Sequence, residues 1–199
     1  AREYSDTMVI ACNTLSIRHH QLADSAPPTP GLEKIVSMVD CLSALINTEL
    51  ELLTGKKALV IGTEFTASQS LYPDILRARV PGIRVNTVGA TELERRIARM
   101  IPLDSMDDPV ITEDLGRALE DTDVAILACT CFPMVRARLE SRFPGVVFMD
   151  PGAYCAGLLT ADASEEPKKL SIIVKGDVVP KSRVAEFAGS YLGGNFTMT

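Results

Sequence analysis

Seven short runs rich in Val, Ile and Ala recur along the chain, and each is followed by a stretch with helical spacing. The runs are residues 8–12 (MVIAC), 34–39 (KIVSMV), 58–63 (ALVIGT), 83–88 (IRVNTV), 124–129 (VAILAC), 146–150 (VVFMD) and 170–175 (LSIIVK). A strand that is apolar on both faces must be covered on both, which a parallel sheet between two helical layers achieves. The pattern between the runs predicts helices at 14–24, 40–54, 66–79, 91–101, 112–120, 133–142, 151–162 and 180–192. Strict strand–helix alternation therefore sets the fold class as α/β with parallel sheets. Loops are marked by SAPPTPG (25–31), DSMDDP (104–109) and SEEPKK (164–169).

In such a sheet, ligands bind at the carboxyl ends of the strands. Two of those ends share one design. The run MVIAC stops at Cys12, with Asn13 and Thr14 following, and VAILAC stops at Cys129, followed by Thr130 and Cys131. Thr63 and Thr66 occupy a third strand end. Each group precedes a predicted helix, whose free N–H groups and partial positive charge favour a carboxylate. Thr63 and Thr66 serve equally well as helix caps. A free thiol is only about 3% ionised at pH 7, and a helix start, worth at most about 2 kcal/mol, brings its titration close to neutrality. A thiol tuned in this way is suited to acid–base work. One such cysteine suggests a nucleophile; two, from two similar halves, suggest a proton removed on one face and returned on the other.

Composition narrows the remaining classes. A net charge of −6, with dispersed basic residues, argues against nucleic acid, and ELERRIARM (92–100) reads as a solvated helix face. Apolar runs are too short to span a membrane, and no secretory signal pattern is present. Five cysteines (Cys12, Cys41, Cys129, Cys131 and Cys155) form no disulfide framework, which fits free thiols in a reducing cytoplasm. No ligand set of zinc spacing accompanies the C-x-C at 129–131, so no metal is expected. The glycine spacing of a dinucleotide or P-loop site is missing. Cys41 and Cys155 fall on helical patterns as core residues, and His19 and His20 fall at surface or cap positions.

The motifs VIACNT, VIGTEFTASQSLY and ILACTCFPM, with FMDPGAYCAGLL (148–159) and IVKGDVVPKSRVAEFAGSYLG (173–193), occur in an order that resembles the aspartate/glutamate racemase superfamily, glutamate racemase above all. The resemblance runs over nearly the whole chain. It implies two pseudosymmetric α/β domains, 1–32 plus 151–199 and 33–150, with the active site in the cleft between them. It also implies racemisation of an acidic amino acid without a cofactor, glutamate being favoured, and a link to peptidoglycan precursors. By matching positions, Cys12 and Cys129 would be the two acid–base thiols, and Asn13, Thr14, Thr63, Thr66 and Thr130 would hold the substrate. Tyr72 matches a family position and is expected to be structural.

Two departures accompany the resemblance. The family's opening strand, with its Asp-Ser pair, has no counterpart ahead of Cys12, which leaves the first domain short of strands. The chain is then either part of a longer one or a reduced paralogue. Its exposed edge makes a homodimer a reasonable expectation. The histidine that follows Cys-Thr in glutamate racemase is replaced by Cys131. That change keeps two other readings open: a superfamily decarboxylase or isomerase of small dicarboxylic acids, and a non-catalytic paralogue that binds an acidic ligand.

Overall fold

A computed structural model describes residues 7–23, 31–101, 108–113, 115–159, 170–172, 180–182, 184–185 and 196–198. Its element order is β1 (Thr7–Ile10), α1 (Asn13–Leu22), β2 (Lys34–Ser37), α2 (Met38–Thr48), α3 (Leu50–Leu53), β3 (Lys57–Gly62), α4 (Glu64–Ser68), α5 (Leu71–Arg79), β4 (Arg84–Gly89) and α6 (Thr91–Ala98). There follow α7 (Pro109–Thr112), α8 (Gly116–Glu120), β5 (Val124–Ala128), a 3-10 turn (Phe132–Val135), α9 (Arg136–Arg142), β6 (Val147–Met149), a second 3-10 turn (Pro151–Tyr154), α10 (Cys155–Leu159), β7 (Leu170–Ile172) and β8 (Phe196–Met198). Most of the loops expected at 25–31 and 104–109, all of that at 164–169, the end of the strand expected at 170–175 and most of the helix expected at 180–192 lie outside the described residues.

Every strand pairing among the described residues is parallel. The main sheet runs β4-β3-β5-β6, and β1 pairs with β2 in a separate two-stranded sheet, Val9 opposite Val36. β7 pairs with β8, a strand that the run pattern did not anticipate. Alternate residues of the two central strands serve two cores. Leu59, Ile61, Ala125 and Leu127 face one side with Leu93, Ile97, Leu119 and Leu139, and Ala58, Val60, Val124 and Ile126 face the other with Leu42, Leu45, Leu76 and Tyr72. These strands are buried on both faces, as their unbroken apolar character requires. A third, smaller cluster of Val36, Met38 and Cys41 joins β2 to α2, with Cys155 and Leu158 of α10 packed on it.

Local chemistry moves several expected boundaries. The run 34–39 stops being a strand at Ser37, because Ser37 and Asp40 form a capping box: the Asp40 N–H donates to Ser37 Oγ at 3.4 Å, and the Ser37 N–H to Asp40 Oδ2 at 2.8 Å. Met38 and Val39 thus begin α2. The helix expected over 40–54 breaks at Glu49, and that over 66–79 breaks at Gln69, whose backbone is extended. Ser37→Ala removes a cap worth about 1 kcal/mol. A matching fall in the urea midpoint at constant slope is the expected result, read by circular dichroism.

Candidate active site

The first cysteine sits where β1 hands over to α1. Cys12 is extended (φ −153°, ψ 122°) and occupies the position before the ten-residue α1, and its side chain caps none of the helix amides. Its carbonyl accepts from the Ser16 N–H at 2.9 Å. Ser16 Oγ in turn donates to the Ile10 carbonyl at 3.1 Å and accepts from the Met38 N–H at 2.9 Å, which pins this strand end to the start of α2.

Asn13, next in the chain, is 3% exposed. Its Oδ1 accepts from the Tyr72 hydroxyl, whereas its Nδ2 has no partner among the described residues. A buried donor left unpaired costs about 1–3 kcal/mol. Burial, aided by the nearby Cys41 and Cys12 thiols, pushes the Tyr72 phenol above its usual range. The hydroxyl therefore stays a donor and fixes which way the Asn13 amide points. Tyr72, expected to be structural, thus also orients a candidate residue, Asn13. Tyr72→Phe would strand Asn13 Oδ1, and a loss of about 1–3 kcal/mol in folding stability is expected from denaturant titration.

The second cysteine follows β5, the most enclosed strand. Cys129 and Cys131 are both half-buried, pack against the first core, and place their Sγ atoms 3.3 Å apart. The thiols share one hydrogen bond. It draws Cys129 below the usual thiol range, against the effect of its burial, and pushes Cys131 up, with burial adding to that rise. The Glu94 carboxylate opposes ionisation of both. Glu94 lies on α6, in the stretch that the charge pattern assigned to a solvated face.

The third strand end behaves as a cap. Thr63 Oγ1 accepts from the Thr66 N–H and donates to Thr66 Oγ1, both at 3.3 Å, and Thr66 is 2% exposed. Gly62 makes this turn possible, since a Cβ there would lie 2.7 Å from Thr66 Cβ.

Several contacts bring the first motif onto the carboxyl edge of the main sheet. Thr130 Oγ1 donates to the Ala11 carbonyl at 3.2 Å, across 119 residues of chain. Each cysteine is the immediate neighbour of one end of that bond. Gln21 Nε2 donates to Gln69 Oε1 at 3.1 Å, and the Arg18 guanidinium stacks over the Phe65 ring at 4.7 Å. With the Tyr72–Asn13 bond, these hold α1 against α4 and α5. Thr14 is half-buried in the first turn of α1.

The other candidates make none of these contacts. Cys41 is fully buried, and burial followed by the Cys155 thiol pushes it up to about 12, so it is a neutral core thiol. His19 and His20 occupy the last turn of α1, and His20 is exposed. Asp150 caps the turn after β6, accepting from the Gly152 N–H at 2.8 Å. A cavity of about 580 Å3 opens between α4, α5 and β4, lined by Gln69, Arg77 and Asn86 among others, and neither cysteine motif lines it. Among the described residues, no group of three or more His, Cys, Asp or Glu could hold a metal ion, and no helix is long and apolar enough to cross a membrane.

Comparison with known proteins agrees with this architecture. The glutamate racemase of Streptococcus equi subsp. equi is 24% identical over 149 residues, which is 74% of this chain and 54% of that protein. The chain thus spans about half the length of the curated relative. The glutamate racemase structure from Campylobacter jejuni superposes with a TM-score of 0.77 at 21% identity, covering 96% of this chain and 75% of that one. That from Francisella tularensis, in complex with D-glutamate, gives 0.71 at 15% identity, covering 97% and 72%. The fold is therefore the mixed α/β fold of these two-domain racemases. The profile of Asp/Glu/hydantoin racemases matches residues 1–159, and the chain belongs to that family.

Proposed function

We propose that the site at the β1 and β5 ends racemises an acidic amino acid, glutamate in preference to aspartate, using Cys12 and Cys129 as opposed acid–base thiols. The observation that most supports this reading is the Thr130–Ala11 hydrogen bond, which ties the two cysteine motifs directly to each other. In the forward direction one thiolate takes the α-proton, and the opposite thiol protonates the other face of the planar carbanion. In the reverse direction the two exchange roles. The lowered Cys129 thiol suits the deprotonating role for one enantiomer. The unpaired Asn13 amide would donate to the substrate, and the Thr14 and Thr130 hydroxyls with the α1 amides would hold its carboxylate. Thr63 and Thr66 would shape the wall, since each already bonds the other.

Domain organisation is part of the same proposal: residues 1–32 with 151–199 form one α/β half, and 33–150 the other. The D-amino acid produced would serve peptidoglycan precursor supply, in the cytoplasm. Incubation of the protein with L-glutamate, L-aspartate and their enantiomers, followed by chiral chromatography, tests the reading. Interconversion of glutamate in both directions is expected, and no interconversion of either amino acid would sink it.

A second reading rests on Cys131. With a thiol at the position that histidine holds in glutamate racemase, Cys129 could work alone, as in superfamily decarboxylases and isomerases of small dicarboxylic acids. Activity that survives loss of Cys12 but not of Cys129 would select it.

A further inference from the structure

Acid–base chemistry at Cys129 leaves its neighbour unexplained. Cys131 sits 3.3 Å from Cys129, sulfur to sulfur, with only exposed Thr130 between them in the chain. Cys129 lies in a bend, and Thr130 and Cys131 lie in the turn that follows. A turn folds the chain back, so residues two apart stay within the span a disulfide bridges. Both thiols are half-buried, not enclosed, so a small oxidant reaches them. From this geometry we propose that Cys129 and Cys131 form an oxidisable dithiol, which a hydroperoxide converts into a disulfide within the motif.

The chemistry balances in two steps. The Cys129 thiolate attacks one oxygen of hydrogen peroxide; the O–O bond breaks, and the departing hydroxide takes a proton to become water. Cys129 is then a sulfenic acid. The Cys131 sulfur attacks the Cys129 sulfur; the S–O bond breaks, and the departing hydroxide takes the Cys131 proton to become a second water. Two thiols are oxidised to one disulfide, and both peroxide oxygens are reduced to water. The unequal thiols fit the two roles, since the shared hydrogen bond favours ionisation at Cys129 and keeps Cys131 protonated. A dithiol reductant reverses the sequence. If Cys129 is a racemisation thiol, a point that rests on the function proposed above, the disulfide also suspends turnover reversibly.

The test is peptide mapping of the whole chain. Protein treated with hydrogen peroxide is blocked with iodoacetamide, digested with trypsin and weighed. The peptide 118–136, which carries both cysteines, is expected to lose two hydrogens and take no label. After dithiothreitol it is expected to take two labels. Recovery of that peptide with both cysteines labelled, at a peroxide dose that converts Cys129 to a dimedone-reactive sulfenic acid in Cys131→Ser, would overturn the proposal. So would a crosslink from Cys129 to the peptide carrying Cys12. Mapping reads the disulfide whether or not the protein racemises anything. An activity assay run in parallel therefore separates failure of this inference from failure of the racemase reading.

Discussion

Cys129→Ser is expected to lower racemisation of glutamate about 10²- to 10⁴-fold, the range that a positioned acid–base group contributes. Serine keeps the shape of the side chain but cannot exchange a proton near neutral pH. Cys12→Ser should fall by a similar factor, because a two-thiol mechanism needs one thiol on each face of the carbanion. Neither change should unfold the protein. Both sulfurs are only half-buried, and Cys12 caps no helix amide. The measurements are kcat/KM in each direction and far-UV circular dichroism of each variant. A large loss in one variant with the other near wild type would contradict two-thiol catalysis.

A second large effect is expected in the strand that carries the second cysteine. Ile126 is fully buried in β5, between Val60 of β3 and Met149 of β6, in the core that also holds Tyr72 and Leu76. Ile126→Ala removes several buried methyl groups and leaves a cavity in a sheet with little freedom to collapse, at a cost of about 2–5 kcal/mol. That is a large share of the about 5–15 kcal/mol that holds a typical domain. Ile126→Val should cost only about 0.5–1.5 kcal/mol. Urea unfolding of both variants checks the ordering; equal losses would mean that the site is not close-packed.

The two central strands, β3 and β5, were legible in the sequence because they are buried on both faces, and continuous Val, Ile and Ala runs need no partner to be recognised. Cys12 and Cys129 were legible for a related reason: a cysteine and a threonine at a strand end are a local pattern. What escaped depends on contacts across space. Tyr72 is 59 residues from Asn13 in sequence, and nothing in SQSLY says where the phenol points. Glu94 lies in a helix that carries charges of both signs, so its sequence does not separate the residue near the two thiols from those in solvent. The breaks at Glu49 and Gln69 escaped because apolar spacing continues across them. At Ser37 the cue was present, since Ser37 and Asp40 have capping-box spacing, but the strand-like run obscured it.

Two thiols serving opposite faces of one α-carbon must exchange its proton with solvent, and that exchange is the decisive measurement. The protein is incubated in D2O with L-glutamate and separately with D-glutamate, and loss of the α-H signal is followed by NMR. Deuterium incorporation is expected from both enantiomers, and in Cys12→Ser or Cys129→Ser a collapse of racemisation with any remaining exchange confined to one enantiomer. Absence of α-proton exchange from either enantiomer of glutamate or aspartate, in protein shown to be folded, would contradict two-thiol racemisation.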